Sequence, residues 1–523
     1  MTHPFRRAAI VGVALLPLAA SAFIVESTRE RSGPHLFDEV LSLVSDRFVD
    51  TVSNTALYEK AARGLVRELQ DPYAALYSPK ELQDFTRQTG GRYGGLGMLV
   101  EDQEGAIVVT KVYPHTPAEG AGVHEGDHIV GVDQQTTRGM KLVQVTDLLK
   151  GTPGTSVHVS FARPGLTVPI DLTFTRAVIH IPAVPYAMLF DGKVGYIPLQ
   201  QFNETSADEF EDAVRRLTRD GAHGLVIDLR GNGGGIVDQA IAISNLFLRN
   251  GQQIASVRAR AGDTQVYLAK GDPVAPTIPL VVLTDGYTAS ASEIVAGALQ
   301  DHDRALVLGT TSFGKGLVQS LFPLDGGWAL KLTTAKWYTP SGRSIQKERK
   351  FVDGRLVEEA DSVETDSARR ARPVFKSDAG RVVYGGGGIT PDIVVRPDTL
   401  DSTEQEFVKA VTPKSQEFYV TLYNYAFDLK GKVQPNFTVS QQWRDELYKR
   451  LTAAGVTVDR SLYDRASSEV DRLLGDRVAR LAFGDSTAKR RELDDDVQLE
   501  RAIEIIRKGQ TQADLLATAS ASH

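Results

Sequence analysis

Leu225-Val226-Ile227-Asp228-Leu229 and Leu280-Val281-Val282-Leu283 are short apolar runs with almost no polar interruption. Successive side chains of a strand point to opposite faces, so such runs are strands only if both faces of their sheet are covered. Sequence of helical period lies between them. Ala207, Phe210, Val214 and Leu217 make an inner stripe, and Ser206 with Glu209 has the spacing of a capping box. Residues 236–250 read as another helix, stopped by Gly251. Buried strands alternating with amphipathic helices specify an α/β core over residues 178–400. Residues 351–382 are charged and aperiodic, and read as a surface insertion within it.

The remaining chain divides around this core. Its 523 residues are enough for several domains. Phe37, Val40, Leu41, Val44 and Phe48, then Leu65, Val66 and Leu69 after a polar break, make residues 34–88 a helical region, with the apolar pattern ended by Asp71-Pro72. Short strands separated by glycine turns fill residues 90–177. From 401 to 523 the sequence is a charged helical extension, with Leu473, Leu474, Val478 and Leu481 as inner positions and a frayed end from about 510. The fold class is therefore multidomain α/β, with helical regions at both ends. A net charge of −7 gives no basic footprint for nucleic acid, and the absence of cysteine excludes disulfides, thiol nucleophiles and thiolate metal sites.

Arg6 and Arg7 precede an apolar run from Ala8 to Val25, with Ala20-Ser21-Ala22 as a small-x-small cleavage site. Residues 1–25 are thus expected to be an export signal, either a cleaved peptide or an uncleaved anchor. The rest of the chain is expected in the periplasm or cell envelope.

Tyr93-Gly94-Gly95-Leu96-Gly97-Met98 opens a strand with glycines that expose backbone N–H groups, a nest able to accept a carboxylate. The edge beside it can pair with an extended peptide. Ala121-Gly122 through Val132 then leads a turn into a strand, and Val145, Leu148 and Leu149 indicate a short helix ending at Gly151. In this order the segments resemble a PDZ domain over residues 90–177. The resemblance implies capture of free C-termini, with Leu96, Gly97 and Met98 lining the carboxylate loop.

Thr288-Ala289-Ser290-Ala291-Ser292-Glu293 follows a buried strand and opens a helix. Small residues around Ser290 allow a substrate backbone to approach. The helix terminus favours a developing anion, and the Ala291 N–H is a free donor of the first turn. Ser290 or Ser292 is equally readable as a plain helix cap. A serine nucleophile needs a base. His302 is the one nearby histidine, and Asp301-His302-Asp303 reads as a solvated helix end. Lys315, in Gly314-Lys315-Gly316-Leu317-Val318-Gln319, is the better candidate. A lysine with a free pKa of about 10.4 serves as base only when its surroundings favour the neutral amine. Gln319 is able to orient that amine without adding charge.

Gly309 to Lys315 also matches a phosphate-binding loop up to its last position. However, Gly316 replaces the hydroxyl residue, and Leu317 to Leu324 reads as a strand where a helix is required. Asp228-Leu229-Arg230-Gly231-Asn232-Gly233-Gly234-Gly235 ends a buried strand, where crevices of open α/β sheets form. Its glycines allow a tight turn that aims N–H groups into such a crevice, or serve only to turn the chain.

Export signal, helical region, PDZ-like module, Asp-Leu-Arg-x-Asn-x-Gly-Gly strand, Thr-Ala-Ser-Ala-Ser-Glu helix and Phe-Gly-Lys-Gly-x-x-Gln segment, in that order, resemble the C-terminal processing peptidases, or tail-specific proteases, over roughly residues 35–400. Ser290 and Lys315 lie 25 residues apart (315 − 290), as in the family pattern. The resemblance implies a crotonase-like α/β protease core with Ser290 as nucleophile, Lys315 as general base and Gln319 as its orienting partner. The N–H groups of Gly235 and Ala291 would form the oxyanion hole. No metal or organic cofactor is implied. The expected partners are protein or peptide substrates with free C-termini. An activating adaptor, and a homo-oligomer built through the C-terminal helices, are further candidates. A PDZ domain that gates activity by moving is also implied. Gly231 and Gly233 depart from the asparagine and proline common at those positions. The rival is a catalytically silent PDZ scaffold, which predicts loss of the serine or the lysine, and both are present.

Overall fold

The computed structural model describes residues 33–521, apart from 104, 164–165, 191–192, 261, 349, 353–354, 358–368, 399 and 493–495. The expected export signal lies outside the described residues, as does the centre of the expected insertion.

The chain forms two compact units, residues 1–76 and 77–523. In the first, helix α1 spans Gly33–Arg47 and helix α2 spans Asn54–Glu68, the latter capped by the Ser53 hydroxyl accepting from the Ala56 N–H. The helical period is as read, but the apolar stripe is not inside: Phe37, Val40, Val44 and Phe48 are exposed.

The second unit begins with helix α3, Pro79–Thr89, set by a Ser78/Glu81 capping box. Strand β1 (Arg92–Gly95) pairs antiparallel with β7 (Ala177–His180), so the β-rich module enters and leaves through one ribbon. Between them, β2 (Met98–Gln103), β3 (Ala106–Val112), β4 (His128–Val132), β5 (Ser156–Ala162) and β6 (Ile170–Thr175) form an antiparallel sheet in that order, which leaves β2 at an edge. Helix α4, Leu142–Leu149, buries Val145 and Leu149 in the core of this module.

The α/β core is a sheet of β8 (Met188–Phe190), β9 (Val194–Pro198), β10 (Gly224–Asp228), β13 (Leu280–Thr284), β14 (Leu306–Gly309) and β17 (Ile393–Val394), all parallel except β8. Alternation along the strands assigns the two faces. Leu225, Ile227, Leu280, Val282 and Val307 pack with helices α5 (Ser206–Arg219), α6 (Val237–Asn245) and α7 (Ala291–Asp301). Val226, Val281, Leu283, Leu306 and Leu308 pack against Leu499, Ile503, Ile506 and Leu515 from the far end of the chain. An antiparallel sheet of β12 (Thr264–Leu268), β11 (Gln253–Ala259), β16 (Ala329–Tyr338) and β15 (Leu317–Pro323) flanks this core.

The C-terminal extension has two parts. Helices α8 (Ser402–Val411), α9 (Ser415–Leu429), α10 (Gln441–Ala453) and α11 (Ser467–Phe483) close around Phe407, Phe418, Leu447, Tyr463 and Leu474. Helices α12 (Val497–Lys508) and α13 (Gln512–Ala521) cover the second face of the core sheet. The expected frayed end is therefore an ordered helix, because Leu515 and Ala519 bury their side chains there.

Other local expectations also change. Ser206 caps nothing with Glu209: its hydroxyl donates to the Gln201 carbonyl, and Glu209 instead accepts from the Thr205 hydroxyl. The helix expected to Asn250 ends at Asn245. The C-terminal part of the expected surface insertion folds into a hairpin, Val374–Lys376 with Val382–Tyr384. There Arg381 pairs with Asp303 and Asp392, so its charge serves a largely buried network and not a solvated loop.

Candidate active site

Ser290 stands just ahead of α7 with φ = 57° and ψ = −113°, an uncommon conformation for a residue with a Cβ and a source of local strain. Its hydroxyl makes no capping bond to the helix. The cap comes from the other direction, since the Ser290 N–H donates to Glu293 Oε2 at 2.7 Å. Ser292, the other serine of the motif, is fully buried and donates to the Asn232 carbonyl at 2.9 Å. Ser292 is thus committed to packing against the glycine turn, while the Ser290 hydroxyl makes no side-chain cap bond among the described residues.

Glu293 is the hub of the site. It is completely buried. Oε2 also accepts from the Lys315 N–H at 2.9 Å, while Oε1 accepts from the Gly314 N–H at 2.6 Å and the Ser312 hydroxyl at 2.5 Å. One oxygen atom therefore holds both the Ser290 and the Lys315 backbone, and keeps the two nitrogens within 5.6 Å of each other (2.7 plus 2.9 Å at most). Burial raises the Glu293 pKa, opposed by the Ser312 hydroxyl and the three N–H donors. The Lys315 carbonyl accepts from the Trp337 indole at 3.0 Å, which fixes the other side of its peptide. Lys315 is itself partly buried. Gln319 lies on β15, where its amide donates to the Thr333 hydroxyl at 3.4 Å.

The glycine turn after β10 lies against the same corner. Asn232, buried, donates to the Leu199 carbonyl at 2.6 Å and accepts from the Gly234 N–H at 2.9 Å. Its own carbonyl receives the Ala289 N–H at 3.0 Å. Gly234 has φ = 96°, and a Cβ there would stand 2.9 Å from the Ser290 Cβ and 3.0 Å from the Ala291 nitrogen. A Cβ on Gly235 would meet the Phe202 carbonyl oxygen at 2.2 Å. Glycine at these two positions is a packing requirement. Among the described residues no acceptor takes the N–H of Gly235 or Ala291.

Two neighbours are not part of this corner. His302 caps the far end of α7, about 16 Å along an 11-residue helix. It is not solvated as expected: its ring nitrogens bond Asp378 and the Gln253 carbonyl, each at 2.7 Å, and the adjoining Asp301 binds fully buried Arg343 at 2.7 Å. Asp228 accepts from Tyr196 and Arg230, and Arg230 reaches Asp496 at the start of α12. Burial opposes ionisation of Asp496, yet Arg230 and Lys489 hold its carboxyl well below the usual range.

In the β-rich module, Leu96 and Met98 bury their side chains in its core. What they and Gly97 offer a ligand is backbone. The carbonyls of Leu96 and Gly97 are already used by Ala118 and Tyr113, and the N–H groups of both residues have no acceptor among the described residues. The open edge of β2 continues from this nest.

Sequence reading gave roles to Ser290, Lys315, Gln319, Gly235 and Ala291, but none to Glu293, Asn232, Ser312 or Trp337. Glu293 stands three residues after the cap position, a spacing that signals a capping carboxylate. The other three are drawn in only by the tertiary fold.

A model of peptidase family S41 matches residues 193–353, and a PDZ-domain model matches residues 84–161. The chain is 37% identical over 314 residues to a carboxy-terminal-processing protease of Bartonella bacilliformis, covering 59% of this chain and 72% of that protein. It is 33% identical over 344 residues to the carboxy-terminal processing protease CtpA of Bacillus subtilis, covering 65% and 73%. Among solved structures it is similar to a photosystem II D1 C-terminal processing protease, at 31% identity and a TM-score of 0.37, covering 58% of this chain and 82% of that one.

Proposed function

We propose, from the premise that this chain belongs to the carboxy-terminal-processing proteases of peptidase family S41, that it cleaves protein tails with a Ser290/Lys315 dyad. The supporting observation is the shared Glu293 oxygen, which joins the backbones of these two residues in one corner, where among the described residues the serine hydroxyl makes no side-chain cap bond.

The bound tail lies extended past Ser290. Neutral Lys315 takes the hydroxyl proton as Oγ attacks the scissile carbonyl. The oxyanion forms where the Ala291 and Gly235 N–H groups point, at the positive end of α7. Lys315 then passes the proton to the leaving amine, and the C–N bond breaks. A water molecule, deprotonated by Lys315, hydrolyses the ester on Ser290 and restores both residues. Gln319 orients the amine. The free C-terminus of the substrate sits in the nest of Leu96, Gly97 and Met98 backbone, its chain adding to the edge of β2. The apolar run after Arg6 and Arg7 supports action in the periplasm or cell envelope.

The test uses one unfolded polypeptide with a free C-terminus and the same polypeptide amidated. The wild type is expected to cleave the free form and to bind it through the PDZ domain, while Ser290→Ala binds without cleaving. Cleavage that persists in Ser290→Ala overturns the nucleophile. Equal capture of the amidated form overturns recognition of the terminal carboxylate.

A further inference from the structure

Besides an exposed ion pair between Lys80 of α3 and Asp147 of α4, the PDZ domain is attached to the rest of its unit at two separate places. One is the β1/β7 ribbon, through which the chain passes twice. At its end His180 meets Glu209 of α5 at 2.9 Å, and just beyond it the Ile181 carbonyl accepts from Asn203 at 3.1 Å. A ribbon alone would act as a hinge.

The second attachment is the turn from His124 to His128, seated on the C-terminal helical bundle. The His124 ring lies 4.9 Å from Phe427 and 6.3 Å from Tyr423, both on α9. His128 meets the Gln416 amide at 2.8 Å. Glu125 pairs with Arg477 of α11, with both side chains mostly removed from solvent. Gly126 faces Val420 so closely that a Cβ would stand 3.4 Å from its Cγ2. The turn is stiff, because buried Asp127 accepts from the His124 N–H at 2.8 Å and from Arg163 at 2.7 Å. The bundle is in turn tied to the core, since Lys489 and Arg230 both bind Asp496 at 2.8 Å. None of the contacts with the bundle uses β2 or α4, where Leu99 and Val143 remain exposed beside the tail-binding edge.

From these two attachments we infer that the bundle fixes the register of cleavage: Glu125, Arg477 and His124 hold the PDZ domain at a set separation from Ser290, so the enzyme cuts a set number of residues from the end of the tail. The inference rests on the peptidase reading above. An extended chain advances about 3.3 Å per residue, so a PDZ shift of that size moves the cut by one bond. Glu125, Arg477 and His124 are positioning residues and touch no reacting atom.

The experiment digests an unstructured 30-residue peptide with an apolar free C-terminus and identifies the products by mass. The wild type is expected to cut at one or two adjacent bonds. Glu125→Arg and Arg477→Glu, which place like charges in the contact, are expected to spread the cuts over several bonds. The double exchange, Glu125→Arg with Arg477→Glu, restores the pair and is expected to restore the narrow pattern, a rescue that a misfolded variant does not give. An unchanged narrow pattern in the single variants overturns the inference. So does faster cutting at the same bonds, which would make the contact a latch on a closed state. Absence of cutting by the wild type instead overturns the peptidase reading itself, and this inference with it.

Discussion

A charge on Glu293 stands where charge is costly, and four donors offset that cost. In Glu293→Gln an amide nitrogen replaces one acceptor oxygen and faces N–H groups. A hydrogen bond to a charged group is worth about 1.5–3 kcal/mol, and tenfold in rate is about 1.4 kcal/mol. The expected loss in kcat is about 10- to 100-fold with KM little changed, measured in steady state on a tail peptide. The pH dependence follows from the same residue. Its folded pKa is raised, chiefly by burial, so the proton is held more tightly in the folded chain than in the unfolded one. The stability linked to this group is complete below the unfolded pKa and is lost as the pH rises through the folded value. Activity runs the other way, because the ionised form is the one that accepts all four bonds. The acid limb of kcat is expected above pH 4.5, the ordinary value for the group, and an acid limb at or below that value would contradict the assignment. Gly234→Ala tests the other wall of the corner. Its Cβ would crowd the Ser290 Cβ and the Ala291 nitrogen, and φ = 96° suits only glycine. Overpacking of this kind costs about 1–3 kcal/mol. The expected outcome is a lower melting temperature and a loss of kcat greater than that from Gly233→Ala, where a Cβ meets nothing.

At the scale of elements, the second face of the core sheet depends on the chain's last two helices. Truncation after Asp496 would expose Val226, Val281, Leu283, Leu306 and Leu308 together. Exposing a face of this size favours aggregation. The truncated chain is expected to be insoluble or to bind apolar dyes. A soluble, cooperatively melting truncation would refute the assignment. That dependence also shows what the sequence made legible. The strands 225–229 and 280–283 announced covering on both faces, because their alternation offers no polar side. What covers the second face was not readable, since α12 and α13 follow more than a hundred residues of intervening chain and pairing of remote segments leaves no local pattern. The end from about 510 read as frayed, although Leu515 of its helix is fully buried. The serine and lysine segments were readable because each sits at a strand or helix end of strong local pattern. Asn232 and Ser312 were not, because their roles arise from partners 60 and 19 residues away.

For the whole molecule, one sheet places Ser290 at the start of α7 and the lysine loop after the next parallel strand, so neighbouring strands bring Ser290 and Lys315 to the same end. The PDZ domain is inserted ahead of that sheet, and the C-terminal bundle touches both. The apolar faces of the bundle and of α12 and α13 are used within the chain, while the exposed stripe of α1 belongs to the other unit. The measurement that bears most directly on the account is turnover of a tail peptide by Ser290→Ala, Lys315→Ala and the double variant. Residues that act as one unit lose activity together, so each single variant is expected to lose about 10⁴-fold or more in kcat, and the double variant no more than the worse single one. Retention of most activity by Lys315→Ala, or losses that multiply in the double variant, would contradict the dyad.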